Sequence, residues 1–101
     1  MNKTEHILAC IIEECAEVQQ AATKALRFGL EDRYPDRPPN TSNRQDIISE
    51  LADLRAVMDM ACGLGLGIWM PLANPDKRKK VGKWMAHAVG TGALVEDEGS
   101  D

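Results

Sequence analysis

The chain has 101 residues, a net charge of −4 and 44% apolar residues. This length suits one domain, and the apolar content is too high for a disordered chain. The negative charge argues weakly against nucleic-acid binding, because phosphate backbones are bound mainly through basic surfaces.

Cysteine usage and the N-terminal segment bear on the compartment. Cys10, Cys15 and Cys62 form no CxxC pair, and their odd number argues against a disulfide framework. We expect them to be buried thiols in a reducing environment. Glu13 and Glu14 interrupt the apolar N-terminal stretch, which is therefore not a secretory signal, and no apolar run is long enough to span a bilayer. We expect a soluble, cytoplasmic protein without membrane partners.

The first predicted helix runs from Thr4 to Phe28, where apolar residues recur at helical spacing without proline or glycine. Thr4 is the predicted N-cap, and Gly29 is predicted to end the helix. Residues 30–43 contain Pro35, Pro38 and Pro39 and are predicted to form a loop. A loop of this length is unusual in so small a domain and is typical of functional segments.

The second predicted helix begins at Ser42 or Asn43. Ser42 and Gln45 have the spacing of a capping box, in which the two residues satisfy each other's backbone groups. The stretch from Arg44 to Ala61 is again free of proline and has helical periodicity.

Residues 63–74 contain alternating glycines, but no strand precedes them and the spacing differs from that of a dinucleotide-binding loop. We expect a turn and a short apolar segment that packs Leu66, Ile68 and Trp69. Asn74 followed by Pro75 then predicts the start of a third helix. This helix is expected from Asp76 to about Val89, with its end near Gly90.

The predicted fold class is all-α, a helical bundle of three main helices plus the short apolar segment. We expect a single domain over residues 1–92, followed by a disordered acidic tail over residues 93–101. Because so short a chain buries a small share of its surface, we expect a homodimer or homotetramer to complete the core.

Acidic residues in the stretch EECAE lie on the face of the first helix that should be apolar. At about 100° per residue, Ile7 and Val18 both fall within about 60° of Glu14 around the helix. Glu17 lies about 60° from Glu14, on the edge of the apolar stripe, and Glu13 lies about 100° away. Glu14 is therefore predicted to face the interior.

The second helix repeats this arrangement, since Glu50 shares a face with Leu54 and Val57 and Asp53 follows three residues later. A single acidic pair at this spacing is usually solvated, but here each of two helices turns a pair inward. Converging carboxylates repel one another unless a cation lies among them. Oxygen ligands select hard ions, so we predict magnesium first and manganese second.

Two other metal sites fit less well. The scattered cysteines and the two histidines lack the ligand spacing of a zinc site. A di-iron site of the ferritin type needs a Glu-x-x-His motif on two helices, and here Asp53 occupies the position of the histidine.

The acidic motifs EExxE at 13–17 and ExxD at 50–53, with the runs KALRFGLED and SNRQDIISELADLRAVMD, resemble the MazG-like all-α nucleoside triphosphate pyrophosphohydrolases of the short, phage type. The resemblance covers residues 8–60, with a weaker similarity in KRKKVGKWM. Residues 63–74 depart from the family pattern. The resemblance implies magnesium-dependent cleavage of a nucleoside triphosphate between its α and β phosphates, giving a monophosphate and pyrophosphate, as in nucleotide-pool housekeeping.

The resemblance also implies roles for individual residues. The metal ligands would be Glu14, Glu17, Glu50 and Asp53. Glu13 would be a further ligand or the base that takes a proton from the attacking water, with Glu17 as the alternative base.

Basic and polar residues are candidates for contacts with the substrate. These candidates are Lys24, Arg27, Asn43, Lys80 and Lys83, with His87 on the same side of the third helix as the last two. A solvated cation is the ordinary alternative for each lysine and arginine, and an N-cap is the alternative for Asn43. Trp69 and Trp84 are expected in the core more often than as platforms for a base.

Two other functions are open at this point. The chain would otherwise be a non-catalytic helical interaction module, whose inward acidic face binds a partner protein. The second alternative is a different enzyme on the same fold, acting on phosphoribosyl-ATP or on deoxyuridine nucleotides alone.

Overall fold

The computed structural model describes residues 1–36 and 38–96. These residues form three helices and no strand. Helix α1 spans Lys3–Phe28, α2 spans Asn43–Gly63 and α3 spans Pro75–Thr91. The prediction of an all-α chain is confirmed for this part. None of the three helices has an apolar stretch long enough to cross a membrane.

The chain divides into two compact units, Met1–Met70 and a second unit that begins at Pro71. The first unit contains α1 and α2 packed as a hairpin, and the second contains α3. A single domain over residues 1–92 stays a prediction. Of the tail predicted at 93–101, residues 97–101 lie outside the described part of the chain.

The N-cap of helix α1 lies two residues before the predicted one. The side-chain oxygen of Asn2 accepts a hydrogen bond from the Glu5 backbone N–H at 2.8 Å. Asn2 is therefore the N-cap, and the prediction of Thr4 was wrong because an asparagine just upstream satisfies the same free donors. The predicted end is confirmed, since Gly29 has φ 97° and its N–H donates to the Ala25 carbonyl.

The start of α2 is the predicted capping box. The Gln45 backbone N–H donates to Ser42 Oγ at 3.1 Å, and the Ser42 backbone N–H donates to Gln45 Oε1 at 2.8 Å. Both residues are placed by their own local hydrogen bonds. The first residue of α2 is consequently well fixed.

The loop between α1 and α2 is bonded to the start of α2. The Asn43 N–H donates to the Asp32 carbonyl at 3.0 Å, and the Arg44 N–H donates to the Leu30 carbonyl at 2.9 Å. Arg33 and Ser42 form an isolated antiparallel bridge. These bonds hold the end of α1 beside the start of α2, so the two helices run antiparallel.

The core of the hairpin is a narrow stripe. The buried apolar residues in the described part are Ile7, Ala21 and Ala61. Ile7 and Ala21 lie about four turns apart on one line along α1. Because two of the three are alanines, the interface between the helices is close but buries little apolar area.

Another side of the hairpin is apolar and exposed. On each helix, the exposed apolar residues lie about 100–160° around the helix axis from the buried stripe. The rotation has the same sense on both helices, and because the helices run antiparallel, these residues come to the same side of the hairpin. We call this side the apolar face. It consists of Leu8 at 43% exposure, Ile12 at 72%, Leu26 at 87%, Ile48 at 62% and Leu51 at 47%.

Helix α3 begins as predicted and ends later. Asn74 Oδ1 accepts from the backbone N–H of Asp76 at 3.0 Å, and Pro75 is the first helical residue. The helix continues through Gly90 to Thr91 and ends at Gly92, which has φ 81°. The observed end lies one residue past Gly90, close to the prediction, because the left-handed residue that stops the helix is the next glycine.

The tryptophans are not in a core. Trp69 is 74% exposed and Trp84 is 58% exposed, while Leu66 is half-buried and Ile68 is 37% exposed. The expected packing of Ile68 and Trp69 is therefore wrong. A core made of a thin stripe between two helices has no depth to receive an indole ring.

The cysteines are free, as expected, but not all of them are inside. Cys10 and Cys62 are half-buried, whereas Cys15 is exposed. Cys15 follows Glu14 and is turned about 100° away from it, toward the apolar face. The expectation of a buried thiol was wrong at this position.

Candidate metal centre

Three carboxylates meet across the α1–α2 hairpin. One carboxylate oxygen from each of Glu14, Glu50 and Asp53 lies within 4.8 Å of the other two. Glu14 and Glu50 are half-buried and Asp53 is exposed, so the group opens to solvent on one side. Oxygens this close to one another are within reach of a single cation.

Helical periodicity places these side chains. Glu14 lies about two turns from each of the buried residues Ile7 and Ala21, on the same line along α1. Glu50 lies about two turns after the buried Asn43 and about three turns before the buried Ala61. Both glutamates consequently occupy the contact stripes of their helices.

The electrostatics of Glu14 reflect this position. Removal from water raises the pKa of its carboxyl, and the negative charges of Asp53, Glu50, Glu13 and Glu17 raise it further, in that order. Within the described residues, no lysine or arginine forms an ion pair with Glu14. Among the described residues, the site therefore holds concentrated negative charge without an ion-paired cation to offset it.

The other two predicted acids lie beside this group. Glu17 is half-buried and, together with Glu50, lines a cavity of about 520 Å³. Glu13 is exposed and influences the pKa of Glu14. Neither belongs to the group of three whose oxygens lie within 4.8 Å of one another.

This cavity, which we call the acid-side cavity, runs from the carboxylates toward the loop. Its lining includes Glu17, Gln20 and Lys24 of α1, Thr41 of the loop, and Gln45 and Glu50 of α2. The lining is mainly polar and includes three acidic residues, Glu17, Asp46 and Glu50, and one lysine, Lys24. Its volume lies in the range of about 300–1,000 Å³ common for small-molecule sites.

A second cavity of about 240 Å³ adjoins it. We call it the aromatic cavity, and its lining consists of Lys24, Phe28, Asp32, Tyr34, Asn43 and Asp46. Lys24 and Asp46 line both cavities. The two spaces are therefore neighbours that share a wall.

The predicted substrate contacts are distributed unevenly. Lys24 is half-buried on the wall that both cavities share. Arg27 is exposed and lies over the Phe28 ring, with its guanidinium carbon 4.8 Å from the ring centroid. The arginine does not line either cavity.

Asn43 is buried, and its side-chain amide donates to the Gly29 carbonyl at 2.8 Å. The N-cap of α2 is Ser42, so the alternative of Asn43 as the cap is wrong. Asn43 ties the end of α1 to the start of α2 and also lines the aromatic cavity.

Lys80 and Lys83 are exposed residues of α3, in the second unit. His87, on the same helix, packs edge-on against Trp84 with ring centroids 5.7 Å apart.

Sequence reasoning missed several residues of the two cavities. Thr41 Oγ1 donates to Asp46 Oδ1 at 2.6 Å, which joins the loop to α2 beside Glu50. Helical periodicity could have predicted Asp46 at this site, because it lies about 40° from Glu50 around the helix. Phe28, Asp32 and Tyr34 gave no signal, since their grouping depends on how the loop folds back.

Comparison with known proteins adds no relative. No family model matches this chain, and neither a curated protein nor a solved structure gives a significant match.

Proposed function

We propose that this chain is a magnesium-dependent nucleoside triphosphate pyrophosphohydrolase of the MazG-like type. The observation that carries the proposal is the meeting of Glu14, Glu50 and Asp53 at one point beside a polar cavity. The resemblance of the two acidic motifs to that family supports the same activity. The substrate is an NTP or dNTP, and the products are the monophosphate and pyrophosphate.

The donor set fits a hard divalent cation. Glu14, Glu50 and Asp53 offer three carboxylate oxygens within 4.8 Å of one another, and oxygen ligands favour magnesium or manganese. Glu17 faces the adjoining cavity, where it would extend the site toward the phosphates. When bound, magnesium offsets the charge of the phosphates and lowers the pKa of a coordinated water.

The chain's own residues would divide the remaining work. Lys24, on the wall of the acid-side cavity, would bind phosphate oxygens and orient the triphosphate. Glu13 would accept a proton from the attacking water, with Glu17 as the alternative base. As the water oxygen bonds to phosphorus, the anhydride bond between the α and β phosphates breaks and pyrophosphate leaves.

The proposal includes a homo-oligomer. The apolar face exposes large side chains from both helices, including Ile12 at 72% and Ile48 at 62%, while the hairpin's own core is a thin stripe. Contiguous exposed apolar surface usually marks an interface. A second copy packed on this face would complete the core and leave the acid-side cavity open.

Pyrophosphate release tests the activity. A mixed pool of nucleoside triphosphates with magnesium should yield pyrophosphate, and Glu50→Ala should abolish most of it. Asp59→Ala is the matched control, because Asp59 is an exposed acid on the opposite side of α2, where it pairs weakly with Arg55 at 3.9 Å. Absence of release, or release indifferent to magnesium and to Glu50→Ala, would favour a non-catalytic interaction module.

A further inference from the structure

We infer that the aromatic cavity holds the base of the nucleotide, and that it favours bases with an exocyclic amino group. This inference rests on the proposed function, because it assumes that the triphosphate lies in the acid-side cavity. It adds a subsite formed by Phe28, Tyr34 and Asp32, residues without a role in the metal site.

The arrangement of the two cavities is the first argument. The acid-side cavity is lined by Glu50 of the metal site and shares Lys24 and Asp46 with the aromatic cavity. A nucleotide also has two unlike ends, a charged phosphate chain and a flat base. With its phosphates beside the carboxylates and Lys24, its base would reach the aromatic cavity.

Size agrees with this division. The aromatic cavity measures about 240 Å³, which is below the range of about 300–1,000 Å³ typical of sites for whole drug-sized ligands. The acid-side cavity, at about 520 Å³, is the larger space. The smaller cavity therefore suits one part of a ligand whose remainder occupies the larger one.

Phe28 and Tyr34 supply surfaces for stacking. Phe28 is 56% exposed and Tyr34 is 66% exposed, although both line the same cavity. Large aromatic residues exposed in the lining of a cavity are well suited to a flat ring, and base stacking on such a residue is worth about 1–3 kcal/mol. These two side chains are the apolar surface that a base requires.

Asp32 sets the preference. Asp32 is an exposed residue of the cavity lining, and an ionised carboxylate only accepts hydrogen bonds. The amino groups of cytosine and adenine are donors, whereas uracil and thymine present a carbonyl oxygen at the corresponding position. A carboxylate attracts the amino group and repels the carbonyl.

Asn43 and the loop hold this lining in place. The Asn43 amide donates to the Gly29 carbonyl at 2.8 Å, and its backbone N–H donates to the Asp32 carbonyl at 3.0 Å. The same residue thus links the end of α1, which carries Phe28, to the part of the loop that carries Asp32. The cavity is built before the ligand arrives.

Calorimetric titration in magnesium tests this subsite with three probes. These are the α,β-methylene analogues of CTP and UTP, whose bases differ in the group at C4 and in the proton on N3, and inorganic tripolyphosphate, which has no base. The CTP analogue should bind about tenfold more tightly than the UTP analogue, as for a hydrogen bond to a charged group. Asp32→Asn should remove most of this difference.

Phe28→Ala and Tyr34→Ala should each weaken binding of the CTP analogue about tenfold and leave tripolyphosphate binding unchanged. Unchanged tripolyphosphate affinity also shows that these variants are folded. Trp69→Ala is the aromatic control, because Trp69 is 74% exposed in the same unit and lines neither cavity.

The subsite is overturned if wild-type protein binds no nucleotide, if the analogues bind no better than tripolyphosphate, or if both alanine variants keep wild-type affinity. Pyrophosphate release is measured separately on the wild-type protein and on both alanine variants. Binding that depends on Phe28 and Tyr34 without release would sustain the subsite and reject the hydrolase. Release that is unchanged in both alanine variants would support the hydrolase and reject the subsite.

Discussion

Glu14 and Glu50, from different helices, bring their carboxylate oxygens to within 4.8 Å of each other at the centre of the α1–α2 hairpin. Both are half-buried, and each lies on the stripe along which its helix contacts the other. An apolar pair at these positions would add to the small apolar core of the hairpin, which contains Ile7, Ala21 and Ala61. The acids therefore reduce the stability of the hairpin in the absence of a cation.

Magnesium should stabilise the protein against heat. At about ten times its Kd, a ligand that binds only the folded state adds about 1.4 kcal/mol, which raises Tm by about 5–10 °C in a domain of this size. The measurement is thermal unfolding in magnesium chloride against sodium chloride of equal ionic strength, each after treatment with chelator. Identical melting curves would contradict a metal site.

Without metal, Glu14 should make stability depend on pH. Its folded-state pKa is raised by burial and by neighbouring carboxylates, so the folded state holds the proton more strongly than the unfolded state. The resulting stability is present below the unfolded pKa of about 4.3 and is lost as pH rises through the folded pKa. Glu14→Gln should remove this loss in chelator, which unfolding measured across that pH range detects. An equal decline in wild type and variant would be evidence against the raised pKa.

Lys24 should act through phosphate binding. It is half-buried on the wall of the acid-side cavity, and loss of a hydrogen bond between charged groups costs about tenfold in affinity. Lys24→Gln is expected to weaken tripolyphosphate binding by that factor in a calorimetric titration. Lys3→Gln is the control, since Lys3 is exposed at the far end of α1. A Lys24 variant with the affinity of the Lys3 variant would remove this residue from the site.

The apolar face should form the contact between copies of the chain. Leu51→Lys would place a charge in the interface, where its desolvation is costly, and should convert the oligomer to a monomer. Met60→Lys is the control, because Met60 is also exposed on α2 but is turned to the other side of the hairpin. Light scattering coupled to size-exclusion chromatography gives the mass. A wild-type monomer, or an oligomer that survives Leu51→Lys, would rule out this interface.

Local signals made much of the hairpin predictable. Helix ends depend on hydrogen bonds among near neighbours, and the structure contains three of the predicted ends. These are the capping box of Ser42 and Gln45, the end of α1 at Gly29, and the start of α3 at Asn74 and Pro75. The placement of Glu14 and Glu50 on the contact stripes follows from helical periodicity alone. For these features, a few residues contain all the necessary information.

What could not be predicted depends on contacts between distant parts of the chain. The aromatic cavity exists because the loop bonds to the start of α2 through Asp32 and Asn43, and no periodicity encodes that fold. The exposure of Trp69 depends on the depth of the core, which the pattern of apolar residues does not reveal. The N-cap of α1 could not be predicted because Asn2 and Thr4 are both suitable caps near the same helix end, and the structure has Asn2.

The central claim is that carboxylates from two helices hold one hard divalent cation, and manganese binding tests it most directly. Electron paramagnetic resonance of the free Mn²⁺ signal should show that wild-type protein removes the ion from solution and that magnesium releases it. Glu14→Gln and Glu50→Gln should each leave the ion free, while Asp59→Asn should bind it as wild type does. A free-ion signal in wild-type protein equal to that in buffer would contradict the claim.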